Sequence, residues 1–115
     1  MSERTIESLK NSIIEDLTIE LSNEPGFSIP LLTTKVKNAT MEVYSKRNYS
    51  ASSMKDAQIE EDMWNYYSTI LSVARYDYNM IGAEGEKSHS ENGVSRTYVD
   101  RNSLFGNVFP FVKIL

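Results

Sequence analysis

The chain has 115 residues and a net charge of −4, with 40% hydrophobic and 24% charged residues, which fits one domain with one modest core and argues against wholesale disorder. It has no cysteine and a single histidine, which removes disulfides, thiolate chemistry and Cys/His zinc ligation. No apolar run approaches the roughly 18–20 residues that span a bilayer, and Met1-Ser2-Glu3-Arg4 does not read as a signal peptide, so no membrane partner is expected and synthesis in a cytoplasm is.

Apolar residues recur at Ile6, Leu9, Ile13, Leu17 and Leu21, with Ile14 widening the stripe. That spacing predicts a first helix over 3–21 with one buried face. Ser22-Asn23-Glu24-Pro25-Gly26 then breaks it. A second helix is expected from near Pro30, with Ser28 or Ile29 just outside it, since the fixed φ of proline suits a first helical position. Leu32, Val36, Ala39, Val43 and Tyr44 form its buried side, and Lys46 and Arg47 lie where the helix dipole favours cations.

Ser53-Met54-Lys55-Asp56 matches a capping pattern and predicts a third helix running to about Ile81, roughly 26 residues or about 39 Å at 1.5 Å per residue. It carries two apolar stripes. Ile59, Met63, Tyr66, Ile70, Ala74 and Ile81 form one, and Trp64, Tyr67, Leu71 and Tyr78 form the other. A helix apolar around most of its circumference is either central to its own bundle or shared with a neighbouring subunit. The second stripe is the candidate inter-subunit surface.

Beyond Ile81 the helical period stops. Asn92-Gly93 is the strongest short hairpin signal in the chain, because both residues accept positive φ. It predicts a polar hairpin within 82–99, with Glu86, His89, Asn92, Gly93, Arg96 and Tyr98 as its candidate interface. Residues 100–104 suit one helical turn before Gly106. The chain then runs through Val108, Phe109, Pro110, Phe111, Val112, Lys113, Ile114 and Leu115, an apolar stretch expected to form an edge strand or extended arm covered by another molecule.

The expected architecture is therefore mainly α. A small three-helix bundle with a long third helix occupies 1–81, a hairpin extension 82–99, and a short turn and C-terminal arm 100–115, together one domain. Net charge alternates along it, −4 over 1–28, +3 over 29–53, −3 over 54–81 and 0 over 82–115. Such blocks suit subunits meeting through opposite faces, or simply solvated helix surfaces. There is no basic stripe of the kind duplex recognition needs.

Catalytic chemistry is not evident. His89 stands among serines and glutamates, but strand neighbours point to opposite faces, so Ser88, Ser90 and Glu91 make no triad with it. Glu60, Glu61 and Asp62 are explained by the dipole at the start of the third helix, without a metal. Gly82-x-x-Gly85 follows a helix and opens none, so it reads as a helix stop rather than a phosphate cradle. No enzyme, cofactor or metal is expected.

The order of parts, with the run Ala74-Arg75-Tyr76-Asp77-Tyr78-Asn79-Met80-Ile81-Gly82-Ala83-Glu84-Gly85-Glu86 followed by Ser88-His89-Ser90-Glu91-Asn92-Gly93-Val94-Ser95-Arg96-Thr97-Tyr98, resembles the head–tail connector (adaptor) proteins of tailed bacteriophages. The ending Val108-Phe109-Pro110-Phe111-Val112-Lys113 fits as well. The resemblance implies a structural protein of the virion neck, made in the bacterial host cytoplasm, with about twelve copies ringed beneath the portal protein. Such a ring extends the DNA channel, lies close to double-stranded DNA without reading its sequence, and offers a platform to the next neck or tail protein. It implies a portal-gripping role for 108–115 and an inter-subunit or portal-facing role for the hairpin. The alternative is a helical protein-interaction module of another kind.

Overall fold

The structure is a computed structural model, described for residues 4–81, 90–91, 94–95 and 100–113. Helix α1 spans Ile6–Leu21 and buries Leu9, Ile13, Leu17 and Leu21, the stripe expected from their spacing. Thr5 caps it: its hydroxyl accepts from the Ser8 amide at 3.0 Å, and the Ser8 hydroxyl accepts from the Thr5 amide at 2.9 Å. Two of the four amides that every helix start leaves open are thereby satisfied.

Helix α2 spans Ile29–Arg47, with Ser28 as its cap and proline in its first turn. Leu32, Val36, Ala39 and Val43 are buried as expected, and Thr40 joins them. The Thr40 hydroxyl is tolerated there because it donates to the Val36 carbonyl at 2.7 Å. Asn48 ends the helix in the left-handed region at φ 54°, a conformation asparagine accepts more readily than most residues. A 3-10 turn follows at Tyr49–Ala51 and buries the Tyr49 ring.

The long third helix is not formed. Its place is taken by two helices, α3 over Asp56–Trp64 and α4 over Tyr67–Asn79. At the break, the Asn65 and Tyr66 amides bond three residues back, to Asp62 and Met63, and Tyr66 leaves the helical region at φ −105°, ψ 21°. Neither residue is a helix breaker. The break coincides with tertiary ties on both sides of it: Asp62 is held by Arg47 and Tyr49, and the Tyr66 ring lies beneath the Arg47 guanidinium. Nor does Ser53 open α3. Lys55 stands at the cap position, and the Gln58 side chain accepts from its amide at 2.8 Å.

Helices α1, α2 and α4 pack against one another, and α3 packs across α1. The core joins the α1 and α2 faces to Met63, Ile70, Val73 and Ala74. Ile81, assigned to the first stripe, is exposed instead, because α4 ends at Asn79.

Past α4, Ser90–Glu91 (β1) pairs antiparallel with Val94–Ser95 (β2), Ser90 opposite Ser95 and Glu91 opposite Val94. Two residues on each side do not establish the hairpin extension expected over 82–99. Its proposed interface residues Glu86, His89, Asn92, Gly93, Arg96 and Tyr98 lie outside the described residues, as do Ile114 and Leu115. The turn expected at 100–104 is present as a 3-10 helix over Arg101–Phe105, capped by the Asp100 carboxylate at the Asn102 amide.

Candidate functional site: a C-terminal strap and its arginine clasps

Residues 100–113 do not project as an arm. They lie back along the bundle as a strap, antiparallel to α4. Arg101 meets Asp77 near the end of that helix, and Asn107 accepts from the Thr69 hydroxyl at 2.9 Å near its start. Farther on, the segment around Phe109 and Phe111 reaches the end of α2. Phe105 and Val108 enter the core, and half-buried Phe111 packs on Tyr49 with ring centroids 5.9 Å apart. These apolar seats and two arginines hold the segment down, which is why the free arm expected from the sequence is absent.

Arg101 forms the first clasp. Its Nε and Nη2 donate to Asp77 at 2.7 and 2.8 Å, and its Nη1 and Nη2 to Glu42 at 3.0 and 2.7 Å. The planar guanidinium fork thus bridges a carboxylate of α2 and one of α4 from the strap, a two-dimensional match that lysine cannot make. Hydrogen bonds to Asp77 and then Glu42 raise the Arg101 pKa far above its ordinary value, against a smaller effect of burial. The Glu42 carboxyl is lowered, chiefly by its hydrogen bonds from Arg101.

Arg47, at the last position of α2, forms the second. Its Nε and Nη2 donate to Asp62 at 2.9 and 3.1 Å, while Nη1 donates to the Phe109 carbonyl at 2.6 Å. The Tyr49 hydroxyl adds a third hydrogen bond to Asp62 at 2.6 Å. The guanidinium lies 4.3 Å from the Phe111 ring centre and 5.0 Å from that of Tyr66, within cation–π range of both. Burial opposes the charge on Arg47, but hydrogen bonds to Asp62 and Tyr49 outweigh it and its pKa is raised. Burial, followed by the bond to Asp62, raises the Tyr49 pKa and keeps its phenol protonated. The main chain completes the grip: the Phe111 amide donates to the Arg47 carbonyl at 2.8 Å, and the Asn48 side-chain amide to the Phe111 carbonyl at 3.1 Å.

The strap therefore has two faces. Val108 and Phe111 point inward. Phe109 and Val112 point outward at 67% and 75% exposure, beside exposed Pro110 and Lys113.

The second stripe makes its contacts inside the chain. The Trp64 ring nitrogen donates to the Thr5 carbonyl at 3.0 Å, its ring stacks on Tyr67 at 5.7 Å, and Arg4 lies over it. The Tyr67 hydroxyl bonds Ser12 and Asp16 on α1. Tyr78 packs on Phe27, and its hydroxyl accepts from the Ser28 amide at 2.9 Å. Leu71 is half-buried against the core. The acidic triplet works across elements rather than on its own helix dipole. Glu60 accepts from the Ile6 amide at 2.8 Å, Glu61 pairs with Arg4 at 3.8 Å, and Asp62 is the anchor of the second clasp.

Sequence reasoning missed Arg47, Asp62, Arg101, Glu42 and Asp77 as a positioning set. Their only sequence signal is charge, and the pairs lie 15 to 59 residues apart. Among the described residues no group of acidic, histidine or cysteine side chains could hold a metal ion, and no helix is long and apolar enough to cross a membrane. No family model, curated protein or solved structure matches the chain.

Proposed function

We propose that the chain is a structural subunit of a tailed-phage neck, a head–tail connector that docks as a ring on the portal protein, extends the DNA channel and receives the next neck or tail component. The observation that supports this reading is the outward face of the strap, where Phe109 and Val112 stand exposed on a segment anchored from its other side. Large apolar side chains already fixed in place bind with less loss of conformational freedom than the same residues on a loose arm. Repetition around a ring multiplies a weak contact of this kind into strong avidity.

The mode of docking differs from strand addition by a free arm. The Phe109 carbonyl and the Phe111 amide and carbonyl are already bonded to Arg47 and Asn48, so the portal would meet side chains rather than an open main-chain edge. The test is native mass spectrometry of the chain mixed with the portal protein of its own genome. About one chain per portal subunit is expected for wild type, with loss of the complex in Phe109→Ser/Val112→Ser. Absence of any complex with an intact portal would overturn the reading and select the alternative, a helical interaction module for another partner, which the same exposed pair also suits.

A further inference from the structure

We propose that the strap is exchanged between copies of this chain, the strap of one copy occupying the groove of the next and being clasped there by that copy's Glu42, Asp77, Arg47 and Asn48. The proposal rests on the ring reading only in requiring copies to be held side by side.

The groove is complete as a recognition site. Its apolar seats take Phe105, Val108 and Phe111. Its two carboxylates, Glu42 on α2 and Asp77 on α4, take the one guanidinium of the strap at 2.7 to 3.0 Å. Arg47 and Asn48 read the strap's main chain at Phe109 and Phe111. Each of these contacts joins the strap to the bundle, while the strap's own short bonds, such as Ser103 to Asp100 and Val108 to Phe105, stay within it. The strap is thus a self-contained peptide ligand, and an identical copy supplies an identical groove, which makes exchange a low-cost route to association.

The connection from α4 to the strap is also long. Arg101 sits on Asp77, two residues before α4 ends at Asn79, so only a short turn is needed to bring the strap back to its own groove. Residues 82–99 supply eighteen. Even with β1 and β2 paired, the twelve residues outside that ladder could span at most roughly 40 Å, at about 3.3 Å each. Helix α4, by comparison, is about 20 Å long at 1.5 Å per residue. The connection is thus longer than the return to its own groove requires, which leaves length to lead to a neighbour's groove. Charge complementarity carries over unchanged, since the groove's carboxylates and the strap's arginine are the same in every copy.

Within one copy the tether holds the strap at an effective concentration in the millimolar range, so dilute chains keep their own. Exchange competes when copies are crowded at that concentration or aligned in a ring. The absence of cysteine allows a direct test with full-length Thr69→Cys and Asn107→Cys variants, whose side chains face each other across the groove. The two single variants are mixed, at about 1 mM alone and separately with portal, and treated with a short bis-maleimide. The expected result is a covalent heterodimer, with the double variant reporting that the pair is within linker reach. Arg101→Ala on the Asn107→Cys chain should lower the heterodimer yield severalfold, because that chain donates the strap. The same change on the Thr69→Cys chain should raise it, because that chain's groove is vacated. No heterodimer under either condition, with the double variant linked within one chain, overturns the proposal. So does a yield indifferent to which chain carries Arg101→Ala. Portal binding without heterodimer keeps the neck reading and removes exchange; heterodimer without portal binding does the reverse.

Discussion

Helix α1 and the strap are both fastened to the same bundle, yet their fastenings differ in kind. Leu9, Ile13, Leu17 and Leu21 of α1 repeat every four residues and bury one continuous face. The strap buries Phe105 and Val108 and half-buries Phe111, and two arginines clasp it: its own Arg101 reaches Glu42 and Asp77, and Arg47 of α2 holds its main chain while bound to Asp62. Periodic burial holds an element by area and tolerates small shifts along the helix. A guanidinium fork fixes a single register. The difference separates what the fold needs in order to exist from what positions its outward-facing residues.

Variants that remove one fastening at a time test this division. Leu17→Ala leaves a hole in the fully buried face and should lower stability by about 2–5 kcal/mol, read as a lower denaturant midpoint for the whole chain. Arg47→Ala strips Asp62, a mostly buried carboxylate, of its cation and the strap of its carbonyl contact. The expected loss is about 3 kcal/mol, accompanied by fast hydrogen exchange at the Phe111 amide. Equal exchange in variant and wild type would show that the Arg47 side chain does not hold the strap, leaving that role to the apolar seats and Arg101.

Arg101→Ala acts on a more exposed clasp and should cost about 1–2 kcal/mol. It also carries a pH signature. Arg101 holds the folded-state Glu42 pKa below the ordinary 4.5, so this contribution is complete above pH 4.5 and is lost as pH falls through the lower folded value. Stability measured from pH 7 to pH 3 should decline less steeply in the variant than in wild type. Identical slopes would assign the acid sensitivity to other carboxylates. Smallest of all, Phe109→Ser/Val112→Ser should change stability by no more than about 0.5 kcal/mol, since both side chains are exposed, while portal binding is lost.

Legibility in the sequence follows the same division. The spacing of Leu9 to Leu21 identifies α1, and Ser28, Pro30 and the cations Lys46 and Arg47 bracket α2, because these signals are local and periodic. Asn65 and Tyr66 carry no breaker signal. The division of the expected long helix falls where Arg47 bonds Asp62 and covers Tyr66, contacts made only after the elements meet. The apolar ending was visible as something to be covered, but nothing local paired Arg101 with Glu42 and Asp77, 59 and 24 residues away. The stripe of Trp64, Tyr67 and Tyr78 was visible too, while its use by Thr5, Asp16 and Ser28 within the chain was not.

Asn48 shows how narrowly one position can be specified. Its backbone adopts the left-handed turn that stops α2, and its side-chain amide holds the Phe111 carbonyl. Glycine would keep the turn and release the carbonyl. Glutamine would retain the amide but place it one carbon farther out on a residue that resists the turn, and aspartate would offer the carbonyl an acceptor instead of a donor. Asparagine meets both demands where these three do not, so substitutions at this position should be tolerated less than its exposed place at the end of a helix suggests.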